Sequence, residues 1–291
     1  GSNFLQLIKF KKILVGFAFS PNLKANVYEA LRMASFFNGE LMFFHVGTKT
    51  SEKVSRFMDL VKSSPVQPKK ISVRWEIGNP VSVLLKASES FKADLIILGA
   101  LKRENVVKFY MGSIARKITR RSNCSVLLLI NPSVERHPCQ HIVVNGFESP
   151  QTKTTIEASF IIANALGAQK ISLVEEISRS EVDVSVDDDR SLRRATLKKE
   201  KLSRREQTRV SDFVKKLPLK LTKKINWKTQ SIFGKRGYSI GHYAKVVRAD
   251  LLIMNAEKNL GFFDRLFTHD IEHILAELPT DVLILNSEKS E

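Results

Sequence analysis

The sequence predicts an α/β protein made of two tandem open parallel sheets with helices on both faces. Three observations predict it. The chain contains an internal repeat, each copy alternates short β-branched runs with longer helical patterns, and two of the runs are almost wholly apolar.

The repeat shows at two offsets. Lys12-Ile13-Leu14-Val15 is answered by His141-Ile142-Val143-Val144, 129 residues later. Ala93-Asp94-Leu95-Ile96-Ile97 is answered by Ala249-Asp250-Leu251-Leu252-Ile253, 156 residues later. Gly78 and Gly234, and Ser125–Leu129 and Asp281–Leu285, keep that second offset. The offsets differ by 27, so the second copy holds an insertion of that length between Val144 and Gly234. The charged stretch near 179–209 is its place.

In the first copy, strands read near Lys12–Phe17, Glu40–Val46, Ile71–Glu76, Asp94–Leu98 and Ser125–Ile130. Helices fit at Leu23–Phe37, Ser51–Lys62, Val81–Phe91 and Ser113–Arg121. Val27, Leu31, Ala34 and Phe37 carry the three-and-four spacing of a helix face. Strand–helix alternation requires crossovers and so a parallel sheet covered on both sides. Pro132 to Pro138 reads as a linker, giving a first domain at 1–131, a linker at 132–139 and a second domain at 140–291.

Composition narrows the class. The chain has 291 residues, 43% of them hydrophobic, enough for two cores. No apolar run nears the ~20 residues of a membrane span. Two cysteines, Cys124 and Cys139, make no disulfide scaffold, and a cytoplasmic location is expected. Net charge is +17, and 190–228 holds 15 Lys/Arg against 3 Asp/Glu. That block offers an anionic partner, nucleic acid or membrane surface, an electrostatic surface. Its alternative reading is a helix with a solvated basic face, since Val210, Phe213, Val214 and Leu217 give it an apolar stripe. Part of Ser180–Arg209 is expected to be disordered or to project as a helix, because charge there outweighs apolar content.

In an open parallel sheet ligands bind beyond the carboxyl ends of the strands, where strand order reverses. The loop after the fourth strand carries Gly99-Ala100-Leu101-Lys102, then nine residues, then Gly112-Ser113 opening a helix. Glycine lets backbone approach a ligand, and a helix start presents free N–H groups to phosphate.

This pattern resembles the nucleotide motif of the universal stress protein family: Gly, two residues, Gly, nine residues, Gly, then Ser or Thr. Gly99, Gly112 and Ser113 match it, and Lys102 stands at the second Gly. His45-Val46, Gly78-Asn79-Pro80 and Asn123-Cys124-Ser125-Val126 fit the family as well. The resemblance implies five parallel strands per copy (the adenine-nucleotide alpha-hydrolase-like fold), ATP or AMP binding in some members, and pairing of domains through their last strands into an internal pseudo-dimer. It implies phosphates near Gly112 and Ser113 and a base near Val46.

Departures from the motif are informative. Nucleotide-binding members carry an Asp at the end of the first strand, where this chain has Ala18 and Phe147. The second copy reads Asn255-Ala256-Glu257-Lys258 and Thr268-His269, with every motif glycine gone. Any nucleotide site is therefore expected in the first copy only, and weak. His269 and His273 have a metal-capable spacing with Asp264 or Glu277 near in sequence, but a polar helix face reads the same way and no metal is expected. No nucleophile–base arrangement stands out, so binding rather than catalysis is expected. Three functional readings follow: a stress-response or regulatory binding protein, a nucleotide-free interaction scaffold, or the soluble regulatory domain of a larger protein such as a transporter.

Overall fold

The computed structural model describes residues 10–102, 109–146, 148–182, 185–235, 238–256, 274 and 276–286. The first half runs β1 (Lys12–Gly16), α1 (Leu23–Phe37), β2 (Glu40–Val46), α2 (Ser51–Ser63), β3 (Ile71–Glu76), α3 (Pro80–Phe91), β4 (Leu95–Gly99), β5 (Leu101–Lys102), β6 (Phe109–Tyr110), α4 (Ser113–Arg121) and β7 (Ser125–Leu129). The second runs β8 (His141–Asn145), α5 (Thr152–Leu166), β9 (Lys170–Ser178), a 3-10 turn (Arg179–Val182), α6 (Asp189–Lys215), α7 (Leu219–Thr222), β10 (Asn226–Gly234), α8 (Tyr238–Val246), β11 (Leu251–Asn255) and β12 (Asp281–Leu285).

Local chemistry sets the boundaries. Ahead of α3, Gly78 adopts φ 138°, the Asn79 side chain accepts the Ser82 N–H at 3.1 Å, and Pro80 fills the first helical position, where no N–H is needed. Thr50 caps α2 in the same way. Gly167 closes α5 in the left-handed conformation that spares it a Cβ clash.

The strands form one ten-stranded sheet in the order β10-β9-β8-β11-β12-β7-β4-β1-β2-β3. All its neighbours are parallel except β12 and β7, which run antiparallel at the middle. The two five-stranded sheets expected from the sequence are thus fused through their last strands. The register is Val282 to Leu128, Leu283 to Leu127 and Ile284 to Val126. Leu127 and Leu283 are the 156-residue repeat equivalents of each other, so a local twofold passes between them. Flanking bonds match: the Ile130 N–H meets Asp281 at 2.9 Å, and the Asn286 N–H meets Ser125 at 3.0 Å.

Strand side chains alternate between two cores. Ile13, Val15, Leu95 and Leu283 join α1, α2, α5 and α6 on one face. Leu14, Ile96, Leu128 and Val282 join α3 and Ile118 of α4 on the other, with Ile240 of α8. Each core runs across both halves. The repeated Ala-Asp-Leu has a structural task at the amino edge: Asp94 accepts the N–H groups of Lys11 and Lys12, and Asp250 those of Gln140 and His141.

The insertion corrects one expectation. Among the described residues, Asp189–Lys215 is one 27-residue helix lying on β9 and β10, not a segment projecting from the body. Asp188 and Ser191 make a capping box at its start, and Ser191, Ala195, Glu206, Val210 and Val214 form its buried line. Charge outweighs apolar content there, yet a narrow stripe of small and apolar residues at helical spacing is enough to dock it.

Candidate functional site

Strand order reverses between β1 and β4, so the first-half crevice opens beyond their carboxyl ends. Gly99 ends β4 and is exposed. A Cβ there would meet nothing closer than Asn26 at 3.8 Å. The spacer after it is a small hairpin in which Lys102 of β5 pairs with Phe109 of β6. The hairpin returns the chain to Gly112, the N-cap of α4, and Ser113 is its first residue. Among the described residues no side chain caps that helix start. A Cβ on Gly112 would sit 2.7 Å from Leu101 Cδ1, so the two ends of the motif lie side by side. Neither glycine is held at positive φ. The backbone therefore does not demand glycine at either position.

Val46 lies elsewhere along the same edge, at the end of β2, packed with Val83 and Leu85 against the α3 face. Ala18 follows β1 and offers no polar group. Beside it stands a cluster that sequence reading missed. Phe17 stacks on Phe57 at 4.2 Å, Phe19 stacks on Trp75 at 5.9 Å, and the His45 ring lies 5.1 Å from Phe17, Phe19 and Trp75. His45 Nδ1 is 2.9 Å from the Phe17 carbonyl. Lys53 and Arg56 of α2 lie over the Phe19 ring, each at 5.7 Å. This side of the crevice is thus aromatic and cationic, with no carboxylate from β1.

The second half builds the same place from opposite chemistry. His45 pairs with Trp75 in the register of β2 and β3, and Glu175 pairs with Ser231 in that of β9 and β10. Gly146 stands where Phe17 does: each N–H bonds the neighbouring strand, Phe17 to Phe44 and Gly146 to Val174. Arg209 donates to the Gly146 carbonyl at 2.7 Å and to Glu206 at 2.7 and 3.0 Å. Ser231 Oγ lies 3.4 Å from Glu175, whose other oxygen is buried with no hydrogen-bond partner. Asn255, the equivalent of Gly99, donates to Thr155 at 3.1 Å and ties β11 to α5. A sequence signal for this existed. Arg56-Phe57-Met58-Asp59-Leu60-Val61-Lys62 is matched by Arg209-Val210-Ser211-Asp212-Phe213-Val214-Lys215.

Burial pushes the Glu175 carboxyl up to about 7, against the pull of Arg209 and with Glu206 adding to the rise. Its folded value lies above the unfolded one, so the protonated acid is favoured by folding. Stability is highest below the usual 4.5 and falls as pH climbs to about 7. The full drop is about 3 kcal/mol, at 1.36 kcal/mol per unit. Glu175→Gln removes that titration: the difference in unfolding free energy between variant and wild type should grow across this window and level off above it. A difference independent of pH would show that Glu175 does not titrate there.

Other candidates carry less. His269, His273 and Asp264 lie outside the described residues, as do Glu257, Lys258, Thr268 and Phe147. Glu277 pairs with Lys245 at 2.7 Å. Among the described residues no three His, Cys, Asp or Glu side chains gather to hold a metal. Cys124 is buried, and burial pushes the Cys139 thiol up to about 12, too high for a nucleophile. No helix among the described residues is long and apolar enough to cross a membrane.

Residues 50–129 match the model of the Universal stress protein family. A universal stress protein of Methanocaldococcus jannaschii is 27% identical over 75 residues, 23% of this chain and 44% of that relative, so less than half of the relative's length is matched. A universal stress protein structure from Archaeoglobus fulgidus DSM 4304 superposes with TM-score 0.65 at 15% identity, covering 97% of this chain and 100% of that one. A functionally unknown protein from Pseudomonas aeruginosa PAO1 superposes with TM-score 0.65 at 14% identity, over 95% and 92%. The cytoplasmic domain of a prokaryotic cation chloride cotransporter shares the fold at TM-score 0.51 and 12% identity, over 96% and 97%. The family's domain is thus matched in sequence over residues 50–129, and the fold of universal stress protein structures is shared along the chain.

Proposed function

We propose that this protein is a regulatory binding protein of the stress-response type, acting in the cytoplasm by binding rather than by covalent catalysis. Its halves, divided near 132–139, work as an internal pseudo-dimer. Only the first half keeps an adenine-nucleotide site, for ATP or AMP. Gly99, Gly112 and Ser113 would hold the phosphates, Lys102 would add a cation, and Val46 would border the base.

The observation that carries this reading is the pair of glycines. Backbone geometry requires neither, a Cβ on Gly99 would fit against Asn26 without a clash, and Gly112 heads a helix that no side chain caps among the described residues. Glycine there leaves N–H groups open to an anion. In the second half Asn255 and Thr155 close the equivalent position, and Arg209 is held by its own chain. Affinity in the first half is weak, because Ala18 offers no carboxylate to a ribose hydroxyl. One lost charge-assisted hydrogen bond costs about 1.5–3 kcal/mol, ~10- to 100-fold in binding.

Calorimetric titration of ATP tests this. Wild type should bind one equivalent weakly, and Gly112→Val should abolish binding. Titration with no heat favours a nucleotide-free interaction scaffold. The cotransporter domain of like fold keeps a further reading open for test, a regulatory domain of a larger protein.

A further inference from the structure

The outward face of α6 has no task in the fold. Its buried line leaves Arg190, Arg193, Arg194, Leu197, Lys201, Arg204 and Thr208 on the opposite side, spaced by three and four and all exposed. Among the described residues none of those five cations is paired with a carboxylate. The arrangement works against the helix itself. Arg190, Arg193 and Arg194 fall in its first turns, where the macrodipole disfavours cations, and Asp188 and Asp189 offset them only in part. Apolar groups are exposed at the same end: Leu197 is 58% exposed, Leu192 53% and Val186 53%.

We propose that this face docks on an anionic lipid bilayer surface. Charge complementarity supplies the attraction: the 190–228 block holds +12 of the chain's +17. The exposed apolar groups choose the occupant. Leu197 sits in the middle of the cationic stripe, where a phosphate backbone gives a leucine nothing to contact. At a headgroup–acyl boundary it inserts between cations that stay with the headgroups. No aromatic stands on the stripe to stack on bases. The helix is about 40 Å long at 1.5 Å per residue and lies beside the sheet's outer strand β10, so it can lie flat on a surface.

Co-sedimentation of the whole protein with phosphatidylcholine vesicles, with and without phosphatidylserine, tests this. Wild type should bind only the phosphatidylserine vesicles, and added salt should weaken binding. The quadruple variant Arg193→Gln, Arg194→Gln, Lys201→Gln, Arg204→Gln should lose about 600-fold in partitioning, at roughly fivefold per cation. Leu197→Ser should lose several-fold while leaving net charge unchanged. The same charge removed at Lys49, Lys62, Lys69 and Lys86, all exposed in the first half, should cost far less. Three results overturn the proposal: no vesicle binding by wild type, equal losses in the two quadruple variants, or short duplex DNA or RNA bound more tightly than vesicles with Leu197→Ser without effect on either.

Discussion

Leu283→Asp is expected to unfold the protein. Leu283 lies on the antiparallel seam opposite Leu127, and both are nearly fully buried. They belong to the core that carries α1 and α2 of the first half and α5 and α6 of the second. An aspartate there has no cation within its apolar surroundings, and burying an unpaired carboxylate costs about 4 kcal/mol or more. A domain's whole stability is about 5–15 kcal/mol. Circular dichroism should show the loss directly. The milder Leu283→Ala, at about 2–5 kcal/mol, tests whether the loss is shared. The chain has two tryptophans, Trp75 in β3 and Trp227 in β10, one for each half. Urea unfolding followed by either one alone, with the other changed to Phe, should move to the same lower midpoint. A shift seen only by Trp227 would show that the halves unfold independently.

Arg209→Ala should be the second large loss, about 1–3 kcal/mol, as expected when a partly buried carboxylate and a carbonyl lose a charged donor. It takes the closer of two cations from Glu206, with Arg205 remaining at 3.3 Å, leaves the Gly146 carbonyl without that donor, and takes away the charge that faces Glu175. Its repeat equivalent gives the contrast. Arg56 is exposed and lies over Phe19 at 5.7 Å, a contact worth about 0.5–1 kcal/mol. Thermal or urea unfolding of Arg56→Ala should therefore stay near wild type. Similar small losses from both variants would mean that the polar cluster of the second half does not anchor α6.

Much of the fold was legible because apolar periodicity is a strong local signal. The helices Leu23–Phe37 and Ser113–Arg121 and the strands Glu40–Val46 and Ile71–Glu76 fall where the pattern puts them. The seam was expected from the family resemblance, which implies pairing through the last strands, and the repeat located those strands at Ser125–Leu129 and Asp281–Leu285. What sequence reading missed depends on tertiary neighbours. The β5–β6 hairpin is two residues a side and carries no period. The first half of α6 docks through Ser191 and Ala195, small residues that a charge count overlooks, ahead of the apolar Val210 and Val214. The aromatic cluster draws Phe17, His45, Phe57 and Trp75 from four separate elements or their ends, so no window contains it. At the candidate site the glycines were visible, but their freedom from backbone constraint was not.

The seam also changes how substitutions count. In a symmetric homodimer each mutation enters twice, and both sites must bear it. Here the partners across the twofold share one chain, so a change enters once. One crevice could gather Phe17, His45 and Trp75 while its twin became Gly146, Glu175 and Ser231, without either imposing its chemistry on the other. Dilution leaves this asymmetry intact, because a covalent tether rather than a dissociation constant keeps the unlike halves together.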